Sequence, residues 1–180
     1  MRRAVFFDRD GVLNVDFGYV FEPARLVWRP TAPEAVKLLN NQGVLVFVVT
    51  NQSGVARGLF GEAEVRVFHA HMQAELARQG AHVDAFRYCP HHPEGVVAAF
   101  RRACECRKPA AGMIRDLLRE YALEPALCHL FGDKPNDLEA AAAAGVSATR
   151  VKGDDRLLDL VRNALDREPS ATPGALRPDG

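Results

Sequence analysis

The chain carries no excess of charge of either sign. Its 180 residues hold 23 basic and 23 acidic side chains, a formal net charge of zero. Binding nucleic acid through a surface field needs a basic surplus, so nucleic acid is not an expected partner. No apolar run approaches the ~20 residues of a membrane-spanning helix, so no membrane partner is expected either. Met1-Arg2-Arg3 leads straight into a short apolar run, with no long hydrophobic leader. The expectation is therefore a cytoplasmic protein. Cysteine is scarce, at four residues, and its clustering does not suit a disulfide framework. No internal repeat is present. What remains is 48% apolar and 26% charged, a globular balance, with a length suited to one domain.

Strand-like and helix-like stretches alternate along the chain, which predicts an α/β fold with a mostly parallel sheet and helices on both faces. Ala4 to Phe7 and Val44 to Val49 are apolar throughout, as strands buried on both faces are. Weaker strands are expected over 83–88, 128–131 and 146–151. Helices are expected over 62–78 and 112–121, and from about Asp154 or Asp155 to about Arg167. A helix capped by Thr31, with Glu34 in the box position, should end at Gly43. Another, capped by Asn136 with Glu139, should end at Gly145. Leu13 to Pro30 reads as a long loop beside the first strand, and loops that long are usually functional. One domain over 1–168 is expected, with a disordered tail at 169–180.

Three strands end in polar residues suited to one site. Asp8 and Asp10 follow the first, Thr50 and Asn51 end the second, and Asp133 follows the fourth. In a parallel sheet these ends share an edge, where ligands bind. Extended backbone would point Asp8 and Asp10 the same way, and two carboxylates there need a cation or a proton between them. Mg²⁺ suits such oxygen ligands together with a phosphate. Lys108, after the Cys/His region, can bind phosphate oxygens. A nucleophile, a cation and donors aimed at equatorial oxygens are the parts phosphoryl transfer needs.

A second constellation is Cys89-Pro90-His91-His92-Pro93 with Cys104-Glu105-Cys106. Three cysteines and a histidine, His91 or His92, make a soft set suited to tetrahedral, structural Zn²⁺. Free thiols or a redox pair at Cys104 and Cys106 are the competing readings. Cys128 reads as a small core residue.

These pieces resemble the four motifs of the haloacid dehalogenase superfamily of phosphatases. The resemblance implies a Rossmann-like, doubly wound fold. It implies Asp8 as the nucleophile that becomes an aspartyl-phosphate, Asp10 as acid and then base, and Thr50 and Lys108 as groups that steady the phosphoryl group. Asp8, Asp133 and the backbone carbonyl of Asp10 would hold Mg²⁺. The family pattern has Cys-x-His at 89–91, which favours His91 beside Cys89, Cys104 and Cys106 as the Zn²⁺ ligands.

The zinc loop, 89–106, narrows the resemblance to the D-glycero-D-manno-heptose 1,7-bisphosphate 7-phosphatases, a group without a large cap domain. Residues 3 to 150 carry it, including Asn14-Val15-Asp16, Gly18-Tyr19-Val20 and Asn51-Gln52-Ser53-Gly54. It implies a phosphorylated sugar as substrate and a place in nucleotide-activated heptose biosynthesis. Asp16, Phe17, Gly18, Tyr19, Asn51, Gln52, Ser53, Arg107 and Lys134 would bind that substrate. A monomer is expected. Histidinol-phosphate phosphatase is the nearest related reading. A non-catalytic zinc module is the reading from another class, and it leaves the full set of motif residues without a purpose. Pro135 and the stretch Trp28 to Pro33 depart from the usual pattern.

Overall fold

The computed structural model describes residues 2–166; the tail expected at 169–180 lies outside them. Five strands form one sheet: β1 (Ala4–Phe7), β2 (Leu45–Asn51), β3 (Ala85–Cys89), β4 (Cys128–Gly132) and β5 (Ser147–Arg150). Their order is β3-β2-β1-β4-β5, and every neighbouring pair is parallel. The helices are α1 (Ala32–Asn41), α2 (Glu62–Arg78), α3 (Gly112–Glu120), α4 (Pro135–Ala143) and α5 (Leu157–Leu165).

Alternation along β1 divides the core. Val5 and Phe7 join Val46, Val48 and Phe131 on one face, where Leu39 of α1, Phe68 and Met72 of α2 and Val161 of α5 cover them. Ala4 and Phe6 join Phe47, Val49 and Leu130 on the other, covered by Ile114 and Leu117 of α3 and Ala140 of α4. Phe6, Phe7, Phe47 and Phe131 are wholly buried, each worth roughly 1.5–3 kcal/mol of transfer free energy. The sheet is thus doubly wound. The chain runs outward from β1 to β3, then returns to β4 on β1's other side. That reversal opens a crevice at the carboxyl ends of β1 and β4, where such folds bind ligands.

Three local expectations are corrected. Strand β1 stops at Phe7 and the chain turns at Arg9, whose carbonyl accepts from Leu13 N and Asn14 N at 2.9 and 3.1 Å. Asp8 still makes a ladder bond, its N–H donating to Phe131 O at 2.9 Å, whereas Asp10 lies within the turn, so the two are not alternate residues of one extended strand. Thr31 does not cap α1 through its side chain. Its backbone is left-handed (φ 62°), and its hydroxyl bonds to Pro30 O and Leu158 N, tying α1 to α5. At α4 the residue before the helix is Lys134, not Asn136. Pro135 occupies the first turn, where its fixed φ suits a helix, and Asp137, not Glu139, reaches back to the Lys134 N–H at 3.0 Å. The long loop is held against the turn by Val15 N–H to Val27 O and Arg29 N–H to Leu13 O, both 2.8 Å.

Candidate active site

The centre of the site is Lys108, although its side chain is 2% exposed. Its Nζ lies 2.9 Å from Asp8 Oδ1, 2.6 Å from Asp137 Oδ1 and 2.7 Å from the Val49 carbonyl. Burial works against the lysine's charge, but the two carboxylates outweigh it and hold its pKa above the ordinary value. Asp8 is pushed up to about 6 by burial; Lys108 opposes the rise, and Asp137 and Asp10 add to it. A divalent cation would offset that crowding of negative charge. Asp8 Oδ1 also accepts from Arg9 N at 2.8 Å, so the two oxygens of this carboxylate are already distinguished.

Asp10 lies in a different setting. Arg9 donates to it through Nε (3.2 Å) and Nη2 (2.9 Å), Asn14 Nδ2 donates at 3.0 Å and Gln52 Nε2 at 2.9 Å. Burial alone would raise its pKa, but Arg9, Asn14 and Gln52 outweigh burial and lower it. Two carboxylates two positions apart thus have opposite environments: burial favours the protonated form of Asp8, and Arg9, Asn14 and Gln52 favour the ionised form of Asp10.

Among the described residues, carboxylate oxygens of Asp8, Asp133 and Asp137 lie within 4.8 Å of one another. Asp133 Oδ1 is buried without a hydrogen-bond partner, which a bound cation would remedy. Burial raises the pKa of Asp133. The donor set is all oxygen, as Mg²⁺ requires, so the residues fit that ion. Gly11 makes the arrangement possible. Its φ is +86°, and a Cβ there would come within 2.5 Å of Asp133 Oδ2. Sequence reasoning missed Asp137. Its signal is a second acidic residue one helical turn after Asp133, in the first turn of the next helix.

The other candidates separate into two groups. Thr50 is buried, and its Oγ1 accepts from Gln52 Nε2 at 2.9 Å. Asn51 uses both ends of its amide on the Lys108 backbone, at 3.0 Å each. Gln52 is directed at Asp10 and Thr50. Asp16, Phe17, Gly18, Tyr19 and Lys134 are exposed, and Ser53 is half-buried. Lys134 Nζ is 3.5 Å from Asp16 Oδ2, which closes the long loop onto the end of β4. A cavity of about 590 Å³ opens beside Gly11, Asp16 and Asp133. Its far wall is Arg29, Arg150 and Lys152, cations that the sequence did not single out. Arg107 lies away from that wall, beside the sulfur cluster, with Nη1 3.3 Å from His91 O.

The cluster itself is compact. Cys106 Sγ is 3.1 Å from Cys89 Sγ and 3.3 Å from Cys104 Sγ, and Cys89 and Cys104 are 3.5 Å apart. His91 Nδ1 is 3.4 Å from Cys106 Sγ and 3.7 Å from Cys89 Sγ. These are not disulfide distances, which are near 2.05 Å. Zinc–sulfur bonds of about 2.3 Å in a tetrahedron set the sulfurs about 3.8 Å apart, close to what is seen. Burial holds the Cys89 thiol well above its ordinary pKa, and a bound cation reverses that. The set fits Zn²⁺. His92 turns away, its Nδ1 accepting from Glu94 N and its Nε2 near Arg57. Cys128 is buried in the core, as expected.

The haloacid dehalogenase-like hydrolase pattern matches residues 14–145. The chain belongs to the haloacid dehalogenase-like hydrolases. Among curated relatives, D-glycero-beta-D-manno-heptose-1,7-bisphosphate 7-phosphatase of Rhodopseudomonas palustris is 48% identical over 154 residues, 86% of each chain. The protein of that name from Salmonella typhi is 43% identical over 180 residues, 93% of this chain and 94% of its own. The crystal structure of D,D-heptose 1,7-bisphosphate phosphatase from B. bronchiseptica, complexed with magnesium and phosphate, superposes with a TM-score of 0.80 at 34% identity. It covers 91% of this chain and 98% of its own. The hydrolase fold stands as the motifs implied, with no second sheet among the described residues and no helix long and apolar enough to cross a membrane.

Proposed function

We propose that this hydrolase removes the 7-phosphate of D-glycero-D-manno-heptose 1,7-bisphosphate through an aspartyl-phosphate on Asp8, in the supply of nucleotide-activated heptose. The observation that carries the reading is the division of labour between Asp8, bound to Lys108, and Asp10, bound to Arg9, in a chain 48% identical to a relative of that name.

Asp8 attacks phosphorus, and the bond from phosphorus to the sugar oxygen breaks. Asp10, whose ionised form the free site favours, must take up a proton from solvent before this step; it gives that proton to the oxygen, so the sugar leaves as an alcohol. Water then attacks the aspartyl-phosphate and loses a proton to Asp10; the bond to the Asp8 oxygen breaks and inorganic phosphate departs. Lys108 and the Thr50 hydroxyl stabilise the equatorial oxygens throughout. Asp8, Asp133 and the Asp10 carbonyl would hold Mg²⁺, which when bound would supply charge neutralisation at the phosphoryl group. Cys89, His91, Cys104 and Cys106 would hold Zn²⁺, and the loop they close presents Arg107 and Lys108. Arg107 is suited to the distal phosphate by its planar fork. Asp16 to Tyr19, Ser53 and Lys134 bind the substrate, and Asn51 and Gln52 act through Lys108 and Asp10. The reading is of one cytoplasmic domain, active as a monomer.

The test is kcat/KM for both anomers of heptose 1,7-bisphosphate and for histidinol phosphate. A clear preference for a heptose bisphosphate is expected. A preference for histidinol phosphate would overturn the substrate and leave the chemistry of Asp8. Asp8→Asn should abolish phosphate release with zinc content intact; retained turnover would overturn the nucleophile.

A further inference from the structure

Arg9 stands between the two aspartates and takes no part in the reaction as written. It is nevertheless fully buried, the bulkiest side chain to be so among the described residues. A buried guanidinium is costly unless its donors are met. Here Nε and Nη2 grip Asp10, Nη2 also donates to Val20 O at 2.6 Å, and the guanidinium lies 4.6 Å over the Phe68 ring. The remaining edge is met by a histidine from α2. Arg9 Nη1 is 3.3 Å from His69 Nε2. That imidazole is buried, stacked on Phe86 at 4.6 Å and edge-on to Tyr88 at 5.9 Å. Burial, with the Arg9 charge adding to it, lowers the His69 pKa to about 3. The ring is thus neutral and offers Nε2 as an acceptor, with its proton on Nδ1.

From this geometry we infer that Arg9 and His69 are positioning residues for Asp10: His69 fixes the guanidinium, and the guanidinium fixes the aim of the acid–base carboxylate. The inference rests on the phosphatase reading above. The planar fork gives one orientation for the carboxylate, where a lysine would give a point charge. His69 is held in turn by rings on β3, so the aim of Asp10 is referred to the sheet. The exposed Asp16–Tyr19 loop is not needed to set it. Among the described residues, Asp8 and Lys134 also feel the Asp10 charge, and neither supplies a directional bond to Asp10.

A general acid matters most when the leaving oxygen is a poor one. A sugar alkoxide needs the proton, whereas p-nitrophenolate leaves without it. The quantity kcat/KM reports steps through departure of the leaving group. Loss of aim should therefore appear there as an ester-selective defect. His69→Leu should lower kcat/KM for heptose 1,7-bisphosphate roughly tenfold to a hundredfold, and that for p-nitrophenyl phosphate less than about threefold. His69→Gln, whose amide oxygen can accept from Arg9, should regain most of the loss. Arg9→Lys, which keeps the charge and loses the fork, should show the same ester-selective defect. Equal losses on both esters, no loss on either, or a glutamine variant no better than leucine would overturn the inference. A wild-type protein releasing phosphate from neither ester would overturn the phosphatase reading and this inference with it. Active wild type with uniformly impaired variants overturns the inference alone.

Discussion

Asn51 and Lys108, 57 positions apart, are joined at both ends of one amide. Asn51 Nδ2 donates to Lys108 O and Lys108 N donates to Asn51 Oδ1, each at 3.0 Å. The end of β2 therefore fixes the backbone from which the buried lysine reaches Asp8. Asn51→Asp, nearly the same size, loses one donor and sets a carboxylate against a carbonyl. Its kcat should fall roughly tenfold or more, since small misplacements at a reacting centre are costly. Steady-state kinetics with zinc content measured alongside would check it; an unchanged kcat would show that the clamp does not position Lys108.

Lys108→Met removes the cation between Asp8 and Asp137. Breaking a buried ion pair costs on the order of 3–5 kcal/mol when a charge is left unpaired. Asp8 is already raised to about 6 by burial, and losing the lysine raises it further. The variant's deficit should thus be greatest above neutrality and shrink as pH falls and the carboxyls take up protons. Urea unfolding of both proteins at pH 7 and pH 5 measures this. A deficit that does not shrink would place the loss in packing.

Gly11→Ala should strike the Mg²⁺ site and leave the zinc cluster alone. The added methyl meets Asp133 Oδ2 at 2.5 Å from a backbone that favours glycine. The Mg²⁺ concentration for half-maximal activity should rise about tenfold or more, in the range of supporting-group substitutions at metal sites. Metal titration of activity, with zinc measured by mass spectrometry, separates the two sites.

Stripping zinc should change thiol reactivity before it changes fold. Cys89, Cys104 and Cys106 form the cluster, and Cys128 is buried elsewhere. Native-state thiol titration should find little reaction in the zinc-loaded protein and new reactive thiols after chelation, with lowered turnover and Mg²⁺ binding retained. Full turnover with an unchanged KM in the stripped protein would remove the proposed link from zinc to Lys108.

His69 makes an acid-side stability prediction. Its folded pKa, near 3, lies below its ordinary 6.5. The unfolded chain therefore binds a proton that the folded chain refuses. The contribution of His69 is fully present above about pH 6.5 and is lost as pH falls toward 3. Between pH 7 and pH 4.5 the wild type should lose more stability than His69→Gln in urea unfolding.

Much of this was legible in the sequence because β1, β2 and β4 are apolar runs that stop at polar residues, and strand ends are where parallel sheets place their chemistry. The sulfur cluster was legible because four soft donors occur close together. Asp137 was not, since an acidic residue in a helix's first turn reads as a cap, and only the tertiary fold buries it against Lys108. Thr31 misled for a related reason. Thr-x-x-Glu is the same string whether or not the threonine adopts the extended backbone that capping needs. The roles of Asn51 and Gln52 depend on partners far along the chain, which no local pattern contains.

The sulfur cluster and the Asn51 clamp share their ends. Cys89 pairs with Asn51 in the β2–β3 register, Asn51 grips Lys108, Lys108 follows Arg107 and Cys106, and Cys106 meets Cys89. The path closes on itself as a ring. Residues 92–103 leave that ring and are tied down separately: Val97 N–H donates to Ala56 O at 2.9 Å, and Phe100 packs against the cluster of Val55, Phe60 and Val65. The lysine's address is therefore set twice, once by the ring and once by this outer tie, and Arg102, 2.7 Å from His91 Nε2, joins the two.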